Sequence, residues 1–203
     1  MLYFSLDTET TSLDSKTGQI IEFGAIFEDT NILVSFKNIP KFKRIIQHDS
    51  YVGSAVAIHM NARIFKILAE YDKIKSITEK EAFRELHGII RPEELMPQFR
   101  DFVIDCYMQY EMQIPDRGIN VVGKNFAGHD GKFIEPLNQF RTVEYVKINH
   151  VIGDPATLYV NWKKDEAFPG LGTCKERAGF DDYVSHDALT DSWDVIQILR
   201  KKY

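Results

Sequence analysis

The hydrophobic pattern of the chain changes period near Asn61, and that change selects the fold class. Before it, Tyr3–Glu9, Gln19–Phe27 and Ile32–Ile39 are runs rich in β-forming residues. They are separated by the polar stretch Thr10–Gly18 and by the turn-like Glu28–Asn31, which predicts a three-stranded antiparallel meander. After it, Ile64, Phe65, Leu68 and Ala69 fall at helical spacing, as do Leu95, Phe99, Phe102, Val103, Cys106 and Tyr110. Ile119–Gly123 reads as a short apolar strand, and Asp130–Phe140 as a helix despite Pro136. Residues 151–172 hold Gly153, Pro155, Pro169, Gly170 and Gly172 and read as loop, after which Ser185 is placed as the cap of a last helix, His186–Lys201. Strands first, then helices alternating with a further strand, predict an α/β fold: a central mixed β-sheet flanked by α-helices, with residues 1–203 as one domain.

Composition excludes several classes of function. At 44% hydrophobic and 27% charged residues the chain is neither disordered nor of low complexity. No apolar run is long enough to span a membrane, and the apolar start Met1–Leu6 meets Asp7 too soon for a signal-peptide core, so a cytoplasmic protein is expected. Cys106 and Cys174 are too isolated for a disulfide framework or a zinc knuckle and are read as reduced and structural. The net charge of -5 argues against binding nucleic acid by a broad basic surface. It leaves room for a site where several carboxylates hold cations that invert the local field.

Three acidic positions stand out. Asp7 and Glu9, two apart on a strand, point to one face, while Phe4, Leu6 and Thr8 point to the other. Two carboxylates so close raise each other's pKa unless a cation lies between them; the plainer reading is an edge strand with a solvated face. Asp130 follows an apolar strand, where α/β sheets gather ligand-binding residues, although a helix N-cap explains it equally. Its neighbour His129 reads as a loop residue. Asp191 interrupts the apolar stripe of Ala188, Ser192, Val195, Ile196 and Leu199, and a carboxylate there needs a partner. Asp187 falls in the first helical turn and Asp194 on the outer face. His186, at the start of the helix, suits a neutral imidazole able to act as a general base, or a histidine of the cap without a role.

Together these residues resemble the three exonuclease motifs of the DEDDh family, proofreading-type 3′-to-5′ exonucleases of the oligoribonuclease superfamily with a ribonuclease H-like fold. The resemblance rests on Asp7-Thr8-Glu9-Thr10-Thr11 followed by Gln19-Ile20-Ile21-Glu22-Phe23-Gly24-Ala25, on Asn125 with Asp130, and on His186-x-Ala188-x-x-Asp191. It runs over nearly the whole chain. It implies that Asp7, Glu9, Asp130 and Asp191 hold two Mg²⁺ or Mn²⁺ ions and that His186 is the base. Two cations about 3.5–4 Å apart activate water and stabilise the attacking and leaving oxygens, and carboxylate oxygens suit them. The same resemblance carries substrate contacts onto Thr8, Thr10, Leu13, Met60, Asn61 and Asn125. Ser12 stands where the family favours Gly, and His129 where it favours Phe. A polar residue at the second place is similar to the oligoribonuclease branch.

The implied activity is hydrolysis of phosphodiester bonds from the 3′ ends of single-stranded nucleic acid, DNA ahead of RNA, with release of nucleoside 5′-monophosphates. Two alternatives stay open: an oligoribonuclease-like enzyme for short RNAs, and a non-catalytic nucleic-acid-binding subunit that keeps the fold. Met60 reads equally as a core residue, and the basic runs Lys41–Arg44 and Lys163–Lys164 as solvated surface. With Tyr203 soon after the last helix, neither a polymerase-binding tail nor a fused polymerase is expected. A homodimer is left open, since no interface is legible.

Overall fold

The nine residues Leu2–Thr10, in which Tyr3, Phe4, Thr8 and Thr10 favour a strand, make the first strand, β1, and its alternation organises the molecule. Phe4 and Leu6 enter one apolar layer, whereas Tyr3 packs in another on the opposite side of the sheet. The computed structural model describes residues 1–139, 142–143 and 145–203. β2 (Ile20–Asp29) pairs antiparallel with β1, and β3 (Lys41–Ile46) antiparallel with β2. Helices α1 (Ala55–Met60), α2 (Ala62–Lys73) and α3 (Ile77–His87) follow, then β4 (Ile89–Ile90), which runs parallel to β3. After α4 (Pro92–Met108), β5 (Ile119–Val122) runs parallel to β1 on its free side. Then come α5 (Asp130–Ile134), β6 (Ile148–Gly153), α6 (Ala156–Tyr159), α7 (Leu171–Arg177) and α8 (Ala188–Arg200). The sheet order is β4-β3-β2-β1-β5-β6, a mixed sheet with helices on both faces.

On one face α4 lays Leu95, Phe99 and Val103 against Phe4, Phe23, Phe27 and Phe42. The Phe99 ring meets Phe23 at 5.0 Å and Phe4 at 6.2 Å in edge-on geometry, the arrangement aromatic quadrupoles favour. On the other face α8 packs Val195 and Ile196 against Tyr3 and Ile26. It comes in very close: a Cβ on Gly24 would lie 2.4 Å from the Ala188 carbonyl carbon, so only glycine lets the first turn of α8 sit on β2. Ser5 Oγ, donating to the Ser192 carbonyl at 2.8 Å, ties the same helix to β1. A third layer, Ile64 and Leu68 of α2 against Ile21, Ile45 and Ile89, carries α2 along the opposite edge of the sheet.

Several expectations are corrected. Ile32–Ile39 is turn and coil with Ile32 and Leu33 exposed; the third strand lies later, at Lys41–Ile46. Its basic residues disguise it, because two of them are used within the fold: Lys43 pairs with Glu22 at 3.2 Å and Arg44 lies 4.4 Å over the Phe42 ring. The solvated-surface reading of Lys41–Arg44 therefore fails for Lys43 and Arg44, while Lys41 is exposed. The helix begun at Asp130 ends at Ile134, just before Pro136, whose ring excludes a longer helix; Phe140 lies outside the described residues. Residues 151–172 are not all loop: β6 ends within them at Gly153 and α6 lies among them. The last helix begins at Ala188, with the Asp187 side chain and not Ser185 accepting the Thr190 N–H at 3.1 Å. Asp194 is buried, not on the outer face, and accepts from Lys175 Nζ at 2.5 Å. No helix among the described residues is long and apolar enough to cross a membrane.

Cys106 and Cys174 are both free and buried. Burial pushes the Cys106 thiol up to about 12 and raises that of Cys174. The native protein is therefore expected to be inert to a thiol reagent at about pH 8. Both of its 2 cysteines should react once denaturant is added. Rapid labelling of either in the native state would contradict this packing.

Candidate active site

The far end of β1 delivers Asp7 and Glu9 to the α8 side of the sheet, as their spacing requires. Asp130 arrives from α5 and Asp191 from the first turn of α8. Glu9, Asp130 and Asp191 are only 8%, 3% and 4% exposed. Thr8 grips Asp130 through its N–H at 3.0 Å and its Oγ1 at 2.6 Å, both to Oδ1. Ser185 treats Asp191 alike, donating from its N–H at 3.3 Å and its Oγ at 2.9 Å to Oδ1. The residue expected as a helix cap thus holds a carboxylate instead. In each case one oxygen is fixed by the protein and the carboxylate plane is set by it.

These four acids stand in a field that opposes their charge. Burial, then the charges of Asp130, Asp191 and Glu9, hold the Asp7 carboxyl well above its usual range. Burial and the charges of Asp191 and Glu22 push Glu9 up to about 8, against an Asn61 hydrogen bond and Arg63 that favour its anion. Asp130 and Asp191 are likewise raised by burial, opposed by Thr8 and Ser185 respectively. Ligand atoms of Glu9, Asp191 and His186 all lie within 4.8 Å of one another. An all-oxygen carboxylate set with a neighbouring imidazole, crowded enough to resist ionisation, fits a hard divalent cation. Asp7, Glu9 and Asp191 face one cavity of about 550 Å³ together with His186.

Of the residues assigned to substrate, Thr8, Thr10, Leu13, Met60 and Asn61 line that cavity. Leu13 is 89% and Met60 47% exposed, so Met60 is no core residue and both are apolar rims of an open mouth. Asn61 donates from Nδ2 to the Ala57 carbonyl at 3.1 Å, while its buried Oδ1 has no hydrogen-bond partner, alone in this among the described residues. Asn125 is not in the lining. Its N–H bonds the Asp154 carboxylate at 2.9 Å, and its neighbour Lys124 reaches the cavity in its place. His129 also lines the cavity, with Nε2 3.4 Å from Thr10 Oγ1. Of Glu22, Lys43 and Arg63, which surround the start of α8, the sequence gives no role to any: Glu22 enters only within the Gln19–Ala25 motif and Lys43 within a basic run. An acid inside the otherwise apolar Ile20–Phe27 run was the available signal.

Neither a known family profile nor a curated protein matches the chain by sequence. Solved structures do match its fold. E. coli exonuclease I in complex with a dT13 oligonucleotide superposes with TM-score 0.59 at 13% identity, over 98% of this chain and 40% of that one. The cell-death related nuclease 4 (CRN-4) gives 0.60 at 13%, over 98% and 62%. The nuclease domain of 3′hExo, a DEDDh family member bound to rAMP, gives 0.60 at 17%, over 98% and 90%. The chain has the DEDDh exonuclease fold. It is of the ribonuclease H-like kind, with the mixed sheet flanked by helices described above. The chain spans about 40% of the length of E. coli exonuclease I and nearly all of the 3′hExo nuclease domain.

The crowding has a thermodynamic signature in the protein without added metal. Glu9 ionises near 4.5 when unfolded but only at about 8 when folded, so between these values the folded state binds more protons. Stability contributed by this group is therefore present at low pH and lost as pH rises through that window. The melting temperature is expected to fall between about pH 5 and about pH 8, Glu9→Gln to flatten the slope, and Mn²⁺ to restore stability most at the upper end. An unchanged slope in Glu9→Gln would contradict the charge crowding.

Proposed function

We propose that this chain is a divalent-metal-dependent 3′-to-5′ exonuclease that removes nucleoside 5′-monophosphates from single-stranded nucleic acid, DNA ahead of RNA. One observation carries the reading: carboxylates from β1 and α8 converge with His186 at one open cavity, Asp130 of α5 lies close enough for its charge to act on Asp7, and among the described residues none of the four forms an ion pair with lysine or arginine. The fold's likeness to nucleases that hold a dT13 oligonucleotide and rAMP agrees with it. Asp7, Glu9, Asp130 and Asp191 would hold two Mg²⁺ or Mn²⁺ ions. When bound, such ions acidify water and neutralise charge on a scissile phosphate.

The residues of the chain do the remainder. His186 accepts the proton of the attacking water, its ring lying beside Glu9 and Asp191. Thr8 and Ser185 keep Asp130 and Asp191 oriented, which removes reorganisation from the reaction. Leu13 and Met60 offer apolar surface to the terminal bases and sugars, contact that tolerates any sequence. Thr10 and Asn61 stand on the same wall as polar neighbours. A chain of net charge -5 binds a polyanion through this site and not through a broad basic field.

A time course on 5′-labelled single-stranded DNA and RNA of equal sequence, with Mg²⁺, Mn²⁺ or chelator, tests the reading. A metal-dependent ladder shortening from the 3′ end is expected, faster on DNA. Asp7→Ala, Asp130→Ala and Asp191→Ala should abolish it, and His186→Ala should slow it by about 10²–10⁴. Asp194→Ala, which unpairs Lys175 away from the cavity, should lower the melting temperature while hydrolysis persists. No products from the wild type, or wild-type rates in Asp130→Ala, would overturn the proposal.

A further inference from the structure

Glu22 presents a physical problem that the surrounding residues answer. Its position in β2 is opposite Glu9 of β1, in register, and its side chain is fully buried. Two acids directly across a strand pair repel. Glu22 is satisfied by cations: Arg63 Nη2 contacts both carboxylate oxygens at 2.8 Å, and Lys43 Nζ lies at 3.2 Å. The same two cations hold Asp187, Arg63 at 3.2 Å and Lys43 in a shorter contact, so two acids and two bases form a neutral cluster. Glu22 also accepts the Ala188 N–H at 2.9 Å. The cluster therefore binds the chain at Asp187 and Ala188, while Ser185 is fastened to Asp191.

Between those anchors stands His186, in the left-handed region at φ +51, a conformation that a residue with a Cβ adopts only when its surroundings impose it. We propose that Glu22, Arg63, Lys43 and Asp187 form a positioning cluster whose task is to hold His186 in this strained conformation at the cavity. This rests on the role given to His186 under the proposed function. Arg63 is the member to change, because it is 43% exposed and Lys43 still faces the buried Glu22 when it is removed. It is a positioning residue: its charge is matched by Glu22 and Asp187 and it acts through the backbone of His186.

The test combines a double-mutant cycle with a view of the ring itself. Arg63→Met is expected to lower kcat about tenfold to a hundredfold, with KM within about twofold, as for a misplaced catalytic group. In a His186→Ala background the same change should alter kcat by less than about twofold. Arg63→Lys, which keeps the charge, should recover part of the loss. In ¹H–¹³C spectra of the metal-free protein, the His186 ring should give one resonance set in the wild type and broadened or doubled resonances in Arg63→Met. An unchanged kcat, a loss that persists without His186, or an effect confined to KM would overturn the proposal, the last pointing to direct contact of Arg63 with substrate. A wild type without nuclease activity defeats the exonuclease reading instead, and unperturbed His186 resonances in Arg63→Met would then defeat this one.

Discussion

Mutual repulsion among Asp7, Glu9, Asp130 and Asp191 is the constraint around which the rest of the molecule is arranged. Among the described residues, the other buried acids meet a cation. Glu28 is held by Arg200 through two contacts at 2.7 Å, Asp194 by Lys175, and Glu22 by Arg63 and Lys43. At the site, Asp130 is held instead by the Thr8 hydroxyl and N–H and Asp191 by those of Ser185, groups that orient a carboxylate without neutralising it. Among the described residues, ion pairing elsewhere and its absence at these four separate the structural acids from those proposed to hold a cation.

The sheet and its helices exist in a form that sustains that repulsion. Phenylalanines from β1, β2, β3 and α4 lock the sheet from one side, and Gly24 lets α8 approach from the other until Asp191 stands beside Glu9. The burial that raises the carboxyls is the same burial that fixes them. The start of α8 is bound to β2 through Glu22 and to β3 through Lys43, so the histidine preceding it has no freedom to relax.

What was legible in the sequence followed from period and polarity. The two-residue spacing of Asp7 and Glu9 placed both on one face, and Asp191 betrayed itself as a charge in an apolar stripe. The long helices over Ala62–Lys73 and Pro92–Met108 showed through their apolar spacing. What stayed hidden depended on partners distant in the chain. β3 looked too basic for a strand until Lys43 met Glu22 and Asp187. Asp194 looked external until Lys175, nineteen residues earlier, reached it. Ser185 looked like a cap because its hydroxyl could serve either role, and Asn125, whose N–H is bound by Asp154, stands outside the cavity lining that Lys124 joins.

Anomalous scattering from crystals grown with Mn²⁺ tests most directly the claim that the unpaired carboxylates are kept for cations. The account requires strong Mn²⁺ peaks between Asp7, Glu9, Asp130 and Asp191, lost in Asp7→Asn, with none at Glu28 or Asp194, whose charge is already matched. An unoccupied cavity at saturating Mn²⁺, with the four carboxylates unchanged, would contradict it.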